Sequence, residues 1–77
     1  MRVKFDRGAD AIYVTLRDGV YCRGKELDDH RRIDYDADGT PIGIELLFVS
    51  HGVIVDDLPL SEQVAAELAN HKIKVFA

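Results

Sequence analysis

The chain has 77 residues and a formal net charge of −4 at pH 7, from 14 acidic and 10 basic side chains. Hydrophobic residues make up 47% and charged residues 31%, as in ordinary globular domains, so we expect a single domain over residues 1–77. No apolar run approaches the roughly 20 residues of a membrane helix, and the N-terminus lacks a signal-peptide core, so a cytoplasmic location is expected. The acidic balance makes nucleic acid an unfavoured partner.

Motifs for cofactor chemistry are absent from the sequence. Cys22 is the only cysteine, which excludes an intrachain disulfide and a multi-cysteine zinc site, and we predict that it packs as a small apolar residue. There is no glycine-rich phosphate loop and no serine in a nucleophile elbow. We therefore expect no cofactor.

The first 17 residues predict a β-hairpin. Apolar and polar residues alternate over residues 2–6 and 11–17, and the turn-rich segment 6–10 joins the two runs. Phe5 opposite Ile12 brings the apolar faces together.

The next segment carries weaker signals. Asp18-Gly19 is a second turn signal, leading into Val20-Tyr21-Cys22 as a further short strand. Residues 25–30 are polar and form either a loop or a bulged edge strand.

Residues 34–45 support two incompatible interpretations. They match the EF-hand calcium-loop pattern at its first, third, fifth, sixth and twelfth positions, which are Asp34, Asp36, Asp38, Gly39 and Glu45. An EF-hand loop lies between two helices, but both flanks of this segment alternate with period two, which indicates strands. We therefore predict a β-hairpin, with a type I′ turn at its Asp-Gly pair.

The hairpin register separates the acidic side chains. It pairs three sets of residues: Tyr35 with Ile42, Ile33 with Ile44, and Arg32 with Glu45. Glu45 then lies several residues from the turn and cannot close over a cation held by Asp36 and Asp38. We predict no metal site, and cation binding through Asp34, Asp36, Asp38 and Glu45 is the alternative.

The last third of the chain predicts one helix and short apolar segments. The four consecutive apolar residues 46–49 indicate a strand end covered on both faces, and residues 53–55 form another short apolar piece. Ser61 is the predicted N-cap of a helix over about residues 61–71, whose Val64 and Leu68 share one face. Residues 72–77 form either a last strand or a docking tail.

These elements predict an α+β fold. It consists of an antiparallel sheet of four to six strands, built as a meander of hairpins, with one C-terminal helix packed on it. One short helix covers only part of such a sheet. We therefore predict a homo-oligomer, with a dimer favoured, or a protein partner on the surplus apolar surface, which comprises Leu47, Val49, Ile54 and Phe76.

Six segments of the first 50 residues resemble one family of small bacterial proteins, the domain of unknown function 2283. They are Val3-Lys4-Phe5-Asp6, Ala9-Asp10-Ala11-Ile12-Tyr13-Val14, Glu26-Leu27-Asp28-Asp29, Ile33-Asp34-Tyr35-Asp36, Asp38-Gly39 and Ile42-Gly43-Ile44-Glu45-Leu46-Leu47. The resemblance covers about residues 2–50 and implies a small α+β protein of unassigned activity. Some relatives occur beside genes for small toxin-like proteins, so the resemblance also implies an antitoxin-like role. It carries over no catalytic residue.

Three functional hypotheses follow. The leading one is a non-enzymatic protein-interaction domain, antitoxin-like, that inhibits a small basic partner. The second is the divalent-cation protein described above. The third is an enzyme with a site at an oligomer interface, built from Tyr13, Asp10, Asp34 or a histidine. The three histidines lack metal-ligand spacing; they are His30, His51 and His71.

Overall fold

The computed structural model describes residues 1–76. Its elements in chain order are β1 (Arg2–Asp6), β2 (Ala11–Thr15), β3 (Arg23–Asp28), β4 (Arg31–Tyr35), β5 (Pro41–Leu47), a 3₁₀ turn (Val49–His51), β6 (Val53–Ile54), α1 (Ser61–Asn70) and β7 (Val75–Phe76). Strands β1 to β5 form one antiparallel sheet in the order β1-β2-β5-β4-β3. The predicted α+β class, with an antiparallel sheet and one C-terminal helix, is confirmed. Two hairpins, β1–β2 and β4–β5, join through the pairing of β2 with β5. Strand β5 therefore lies at the centre of the sheet, between β2 and β4.

The first hairpin has the predicted register. Phe5 pairs with Ile12 and Val3 pairs with Val14. Ile12 and Val14 are buried because β2 lies inside the sheet, next to the central strand β5. Strand β2 ends at Thr15, two residues before the predicted end.

The connection from β2 to β3 differs from the prediction. Residues 20–22 form no strand, and Val20 is 82% exposed. Cys22 is also exposed, so the prediction that it packs as a small apolar residue is wrong. The polar segment that follows is the edge strand β3, with a bulge between Glu26 and Asp28. Of the two alternatives for residues 25–30, the bulged edge strand is the one observed.

Strands flank the acidic loop on both sides, as predicted. Ile33 pairs with Ile44, and Arg32 pairs with Glu45. Tyr35 pairs with Pro41 and not with Ile42, because a bulge shifts the register between Asp34 and Tyr35. This part of the predicted register is wrong.

The turn itself is not type I′. Gly39 has a φ of 82°, but Asp38 does not have the positive φ that a type I′ turn requires. The Asp36 carboxylate instead accepts hydrogen bonds from the N–H groups of Asp38 and Thr40, both at 2.9 Å. The Asp36 side chain thus closes a turn that is longer than the predicted two-residue one. Within this turn, Gly39 takes the left-handed conformation.

Strand β5 ends where the backbone turns sharply at Phe48, which has a φ of 55°. The turn places Val49 in the core at 1% exposure and leaves Phe48 50% exposed. The prediction that residues 46–49 are covered on both faces is therefore wrong at Phe48. Asp10 fixes the turn, since its carboxylate accepts hydrogen bonds from Ser50 N–H at 2.9 Å and Ser50 Oγ–H at 2.6 Å.

Helix α1 packs on the inner face of the sheet through Val64 and Leu68, which are both fully buried. The helix ends one residue before the predicted end. Ser61 is not the N-cap, because Leu60 occupies that position with a φ of 53° and no side-chain cap bond. The core combines residues of the sheet, of residues 49–58 and of the helix: Ile12, Val14, Leu16, Ile44, Leu46, Val49, Val53, Val55, Leu58, Val64 and Leu68.

Of the predicted C-terminal segment, Val75–Phe76 forms a strand, and residue 77 lies outside the described residues. Strand β7 pairs in parallel with β6, placing Ile54 beside Phe76, and Val53 N–H donates to Lys74 O at 2.8 Å. Among residues 1–76, no helix has the length and apolar character needed to cross a membrane.

Candidate functional site

A surface depression with two parts lies at the end of the sheet, where β3, β4 and β5 approach β6. Its apolar end is lined by Leu46, Leu47, Gly52, Val53 and Ile54. Its acidic end is lined by Glu26, Asp29 and Glu45. Asp28, His30, Arg31 and Leu47 line both parts at the end of the sheet. The two parts open on opposite faces, because Leu46 faces the core and Glu45 shares the outer face with Tyr13 and Arg32. We call the two parts together the groove.

Three large apolar side chains are exposed in the chain segments next to the apolar end of the groove, which Ile54 itself lines. Phe48, Ile54 and Phe76 are 50%, 48% and 41% exposed, and we call them the aromatic patch.

Phe48 points outward because its left-handed backbone reverses the side-chain alternation of β5. Two histidine rings lie near the Phe48 ring, and one of them contacts it edge-on. The His30 ring meets the Phe48 ring edge-on with a centroid distance of 5.1 Å, and the His51 ring lies at 6.3 Å. Edge-to-face contacts of this kind favour one ring orientation.

Phe76 lies over Gly52, next to Ile54 on the neighbouring strand. A Cβ atom at position 52 would overlap the Phe76 ring, and the φ of 95° at Gly52 also favours glycine. Lys74 Nζ lies 5.2 Å from the centroid of the Phe76 ring. The Phe76 ring of the aromatic patch therefore packs directly over the backbone of Gly52.

Arg31 forms the floor of the groove and joins the main sheet to β6. Its Nη1 donates to Ile54 O at 2.9 Å and to Asp56 O at 2.6 Å, and its Nε donates to Asp28 at 2.8 Å. Burial alone would raise the pKa of the Asp28 carboxyl, but the His30 N–H and the Arg31 guanidinium hold that pKa below its usual value. The positive charge of Arg31 is thus already engaged within the chain.

The carboxylates at the acidic end are not engaged in this way. Arg32 lies between Glu26 and Glu45 in the strand register. Its guanidinium turns aside over Gly24, donates to Tyr21 Oη at 2.8 Å and pairs with Asp34 at 3.4 Å. Within residues 1–76, the acidic residues that line this end without an ion pair are Glu26, Asp29 and Glu45.

A second polar cluster lies on the face of the sheet opposite the helix. Tyr13 Oη donates to Asp34 Oδ2 at 2.8 Å, and the hydroxyl passes over Gly43, where a Cβ would overlap it. Burial, followed by the hydrogen bond to Asp34 and its negative charge, raises the pKa of Tyr13 to about 12. The hydroxyl therefore stays protonated at neutral pH and acts as a hydrogen-bond donor to Asp34.

The structure brings together only part of the predicted catalytic set. Tyr13 and Asp34 meet, whereas Asp10 binds Ser50 at the end of β5. His71 caps the helix through Nδ1, which lies 2.9 Å from Glu67 O. The other two histidines flank Phe48.

The four acidic residues of the calcium-loop pattern have separate surroundings. Asp34 contacts Tyr13 and Arg32, and Glu45 lines the acidic part of the groove. Asp36 closes the turn by accepting a hydrogen bond from the Asp38 N–H, and Asp38 itself is exposed. In the part of the chain that the structure describes, His, Cys, Asp and Glu nowhere gather in a group of three or more suited to a metal ion.

The predicted interface residues have different exposures. Leu47, Ile54 and Phe76 reach the surface, but Val49 is buried in the core and cannot contact a partner in this conformation. Sequence reasoning missed Phe48 and Arg31. The exposure of Phe48 was not predicted, because the strand was expected to continue through this residue. Its left-handed backbone turns the side chain outward.

Comparison with known proteins gives one match. Neither the curated proteins nor the solved structures include a significant match to this chain. A family model described as a protein of unknown function (DUF2283) matches residues 2–50. These residues, more than half of the chain, include all five strands of the main sheet and Phe48. The chain belongs to the DUF2283 family.

Proposed function

We propose that this chain is a non-enzymatic protein-interaction domain that binds its partner through the aromatic patch. The observation that carries the proposal is the exposure of three large apolar side chains next to the apolar end of the groove. Ile54 lines this end, Phe48 contacts His30 of the lining, and Phe76 pairs with Ile54. Aromatic side chains that stand at a surface in such a cluster are enriched where proteins bind one another.

The backbone at Phe48 supports this proposal. A bulky residue with a φ of 55° bears a conformational cost of about 1–2 kcal/mol, which glycine would avoid. The exposed ring gains little burial in return. A role for the outward-facing ring in binding accounts for a phenylalanine at this position.

The partner that we propose is a small basic protein, which this chain inhibits in the manner of an antitoxin. The net charge of −4 supports a basic partner through electrostatic attraction. The acidic part of the groove, on the outer face of the same end of the sheet, adds negative charge through Glu26, Asp29 and Glu45.

The test compares two exposed aliphatic residues. Ile54→Ser removes part of the aromatic patch, whereas Val20→Ser alters the more exposed side chain of the β2–β3 connection, which does not line the groove. Each tagged variant is expressed at native level and purified under gentle conditions. We expect a protein of fixed stoichiometry to accompany the wild type and Val20→Ser, and to be lost from Ile54→Ser.

The proposal fails if both variants retain the same companion, or if the wild type purifies alone as a monomer by light scattering. A homodimer that Ile54→Ser dissociates and Val20→Ser does not would replace the basic partner with a second copy of this chain.

A further inference from the structure

We infer that β1 pairs with the β1 strand of a second copy of this chain, so that two sheets join edge to edge in a symmetric dimer. The inference is independent of the proposed function, because no residue of β1 lines the groove. It is carried by an open, regular edge strand whose sequence is complementary to itself when two copies run antiparallel.

The two edges of the sheet differ in their protection. Strand β3 is interrupted by a bulge between Glu26 and Asp28, and bulges are one way in which proteins blunt an exposed edge. Strand β1 pairs with β2 in uniform register over all 5 residues and contains neither a bulge nor a proline. Within residues 1–76, no backbone hydrogen bond joins β1 to a segment other than β2. The outer backbone groups of β1 are therefore open to another strand.

The ladder between β2 and β5 identifies these outer groups. Leu16 N–H donates to Ile42 O at 2.9 Å, so the even-numbered residues of β2 direct their backbone groups toward β5 and the odd-numbered ones toward β1. The register of the first hairpin sets odd-numbered residues of β2 opposite even-numbered residues of β1. Val3 and Phe5 therefore direct their N–H and C=O groups away from the sheet.

The side chains of β1 match those of a second copy when the two-fold axis passes through Lys4. This register places Val3 opposite Phe5 of the second copy and Arg2 opposite its Asp6, and symmetry repeats both pairs. Apolar residues thus meet on the inner face and opposite charges meet on the outer face. An axis through Val3 or Phe5 would pair fewer residues of the strand.

The inner face of the dimer gains apolar contact. Val3 and Phe5 pack against the core of one copy but are only partly buried there. Across the axis, each side chain contacts its counterpart in the second copy, so the apolar layer continues from one sheet into the next.

The charges on the outer face are compatible with this register. Lys4 lies opposite its own copy, but it lines a depression together with Asp6 and Glu45, whose carboxylates offset the repulsion. Arg2 can exchange its present partner, because its 3.2 Å pair with Asp18 leaves the two side chains 71% and 90% exposed. Ion pairs as exposed as this contribute little to stability.

Disulfide formation across the axis tests the register. The backbone groups of Lys4 face β2, so the two copies of position 4 form a non-hydrogen-bonded pair with Cα atoms about 4.5 Å apart, which a disulfide can span. The two copies of position 2 lie about 14 Å apart, because four residues separate them along the strand direction. We compare Lys4→Cys with Arg2→Cys, each combined with Cys22→Ser to remove the exposed native thiol. In a glutathione redox buffer, Lys4→Cys should form a covalent dimer and Arg2→Cys should not.

Sedimentation of the full chain over a range of concentrations tests the charge pairs. We expect the wild type to form a species of twice 8.6 kDa. Arg2→Asp turns two attractions into repulsions and should weaken dimerisation about tenfold, whereas Arg2→Asp/Asp6→Arg should recover most of the affinity. Lys25→Asp, on the opposite edge strand, makes the same change in net charge at an exposed residue and should change the affinity less than about twofold. Circular dichroism checks that each variant is folded.

Four results overturn the inference. They are a wild type that stays monomeric up to about 1 mM, equal weakening by Arg2→Asp and Lys25→Asp, equal crosslinking at positions 2 and 4, and a dimer that Ile54→Ser dissociates. The last result would move the interface to the aromatic patch. A monomeric chain whose companion is lost from Arg2→Asp would assign the edge to a strand of another protein. A monomeric chain whose companion is lost only from Ile54→Ser would overturn this inference and leave the proposed function standing.

Discussion

Replacement of Gly43 by alanine tests how the polar cluster on the outer face of the sheet is built. The added Cβ would overlap the Tyr13 hydroxyl, so Tyr13 must rotate away and lose its 2.8 Å hydrogen bond to Asp34. Removing Tyr13 first removes the clash. The effect of Gly43→Ala should therefore depend on whether the background carries Tyr13 or Tyr13→Ala.

The expected size follows from two opposing contributions. Alanine in a strand interior is favoured over glycine by roughly 0.5–1 kcal/mol. A hydrogen bond to a charged group contributes about 1.5–3 kcal/mol, and this is lost only when Tyr13 is present. Gly43→Ala should thus lower the free energy of unfolding by about 1–2 kcal/mol in the wild type and raise it by about 0.5 kcal/mol in Tyr13→Ala.

Urea denaturation followed by circular dichroism measures all four proteins of this cycle. A domain of 77 residues has an unfolding free energy of about 4–12 kcal/mol, so differences of this size shift the midpoint clearly. An effect of Gly43→Ala that is the same within about 0.5 kcal/mol in both backgrounds would refute the proposed packing of Tyr13 over Gly43.

Three further predictions concern the pKa of Tyr13 and the contacts around the groove. The ultraviolet titration of the wild type, minus that of Tyr13→Phe, should show a tyrosinate with a midpoint near pH 12. This pKa of about 12 in the folded chain lies above the ordinary value of 10.0. The contribution of Tyr13 to the free energy of unfolding is therefore fully present below pH 10 and declines as the pH rises toward 12. Arg31→Ala should lower the free energy of unfolding by about 2–3 kcal/mol, because it leaves two backbone acceptors without their donor, and should increase amide exchange in β6. Gly52→Ala should destabilise by more than about 1 kcal/mol and displace Phe76, as judged by its aromatic NMR signals.

Each of these has a contradicting result. A Tyr13 midpoint near pH 10 would show that burial and Asp34 do not act on it. For Arg31, the control is Arg2→Ala, whose exposed pair with Asp18 should contribute less than about 0.5 kcal/mol; equal effects of the two variants would exclude a special role for Arg31. Unchanged Phe76 signals in Gly52→Ala would mean that the ring does not lie over position 52.

The sheet and helix were predictable because their signals are local and periodic. Alternation identified both hairpins, and it excluded helices around Gly39 although the acidic spacing matched a calcium loop. The pairing of Ile33 with Ile44 followed because each strand has to place its apolar side chains on the same face.

The groove was only partly predictable because it depends on backbone turns that leave weak signals in sequence. Leu47 and Ile54 were expected at a surface, but Phe48 became exposed through a left-handed conformation rare for phenylalanine. Arg31 was missed because its acceptors are carbonyl groups more than 20 residues away. Such contacts depend on tertiary structure, which a single sequence does not reveal by pattern.

Site-specific photocrosslinking in living cells tests most directly whether the aromatic patch contacts a protein. p-Benzoylphenylalanine is placed at position 48, which keeps an aromatic ring there, and at position 20 as the exposed control. We expect one discrete adduct from position 48, of a basic protein joined to this 8.6 kDa chain, and none from position 20. Adducts of equal yield from both positions, or none from position 48, would contradict it.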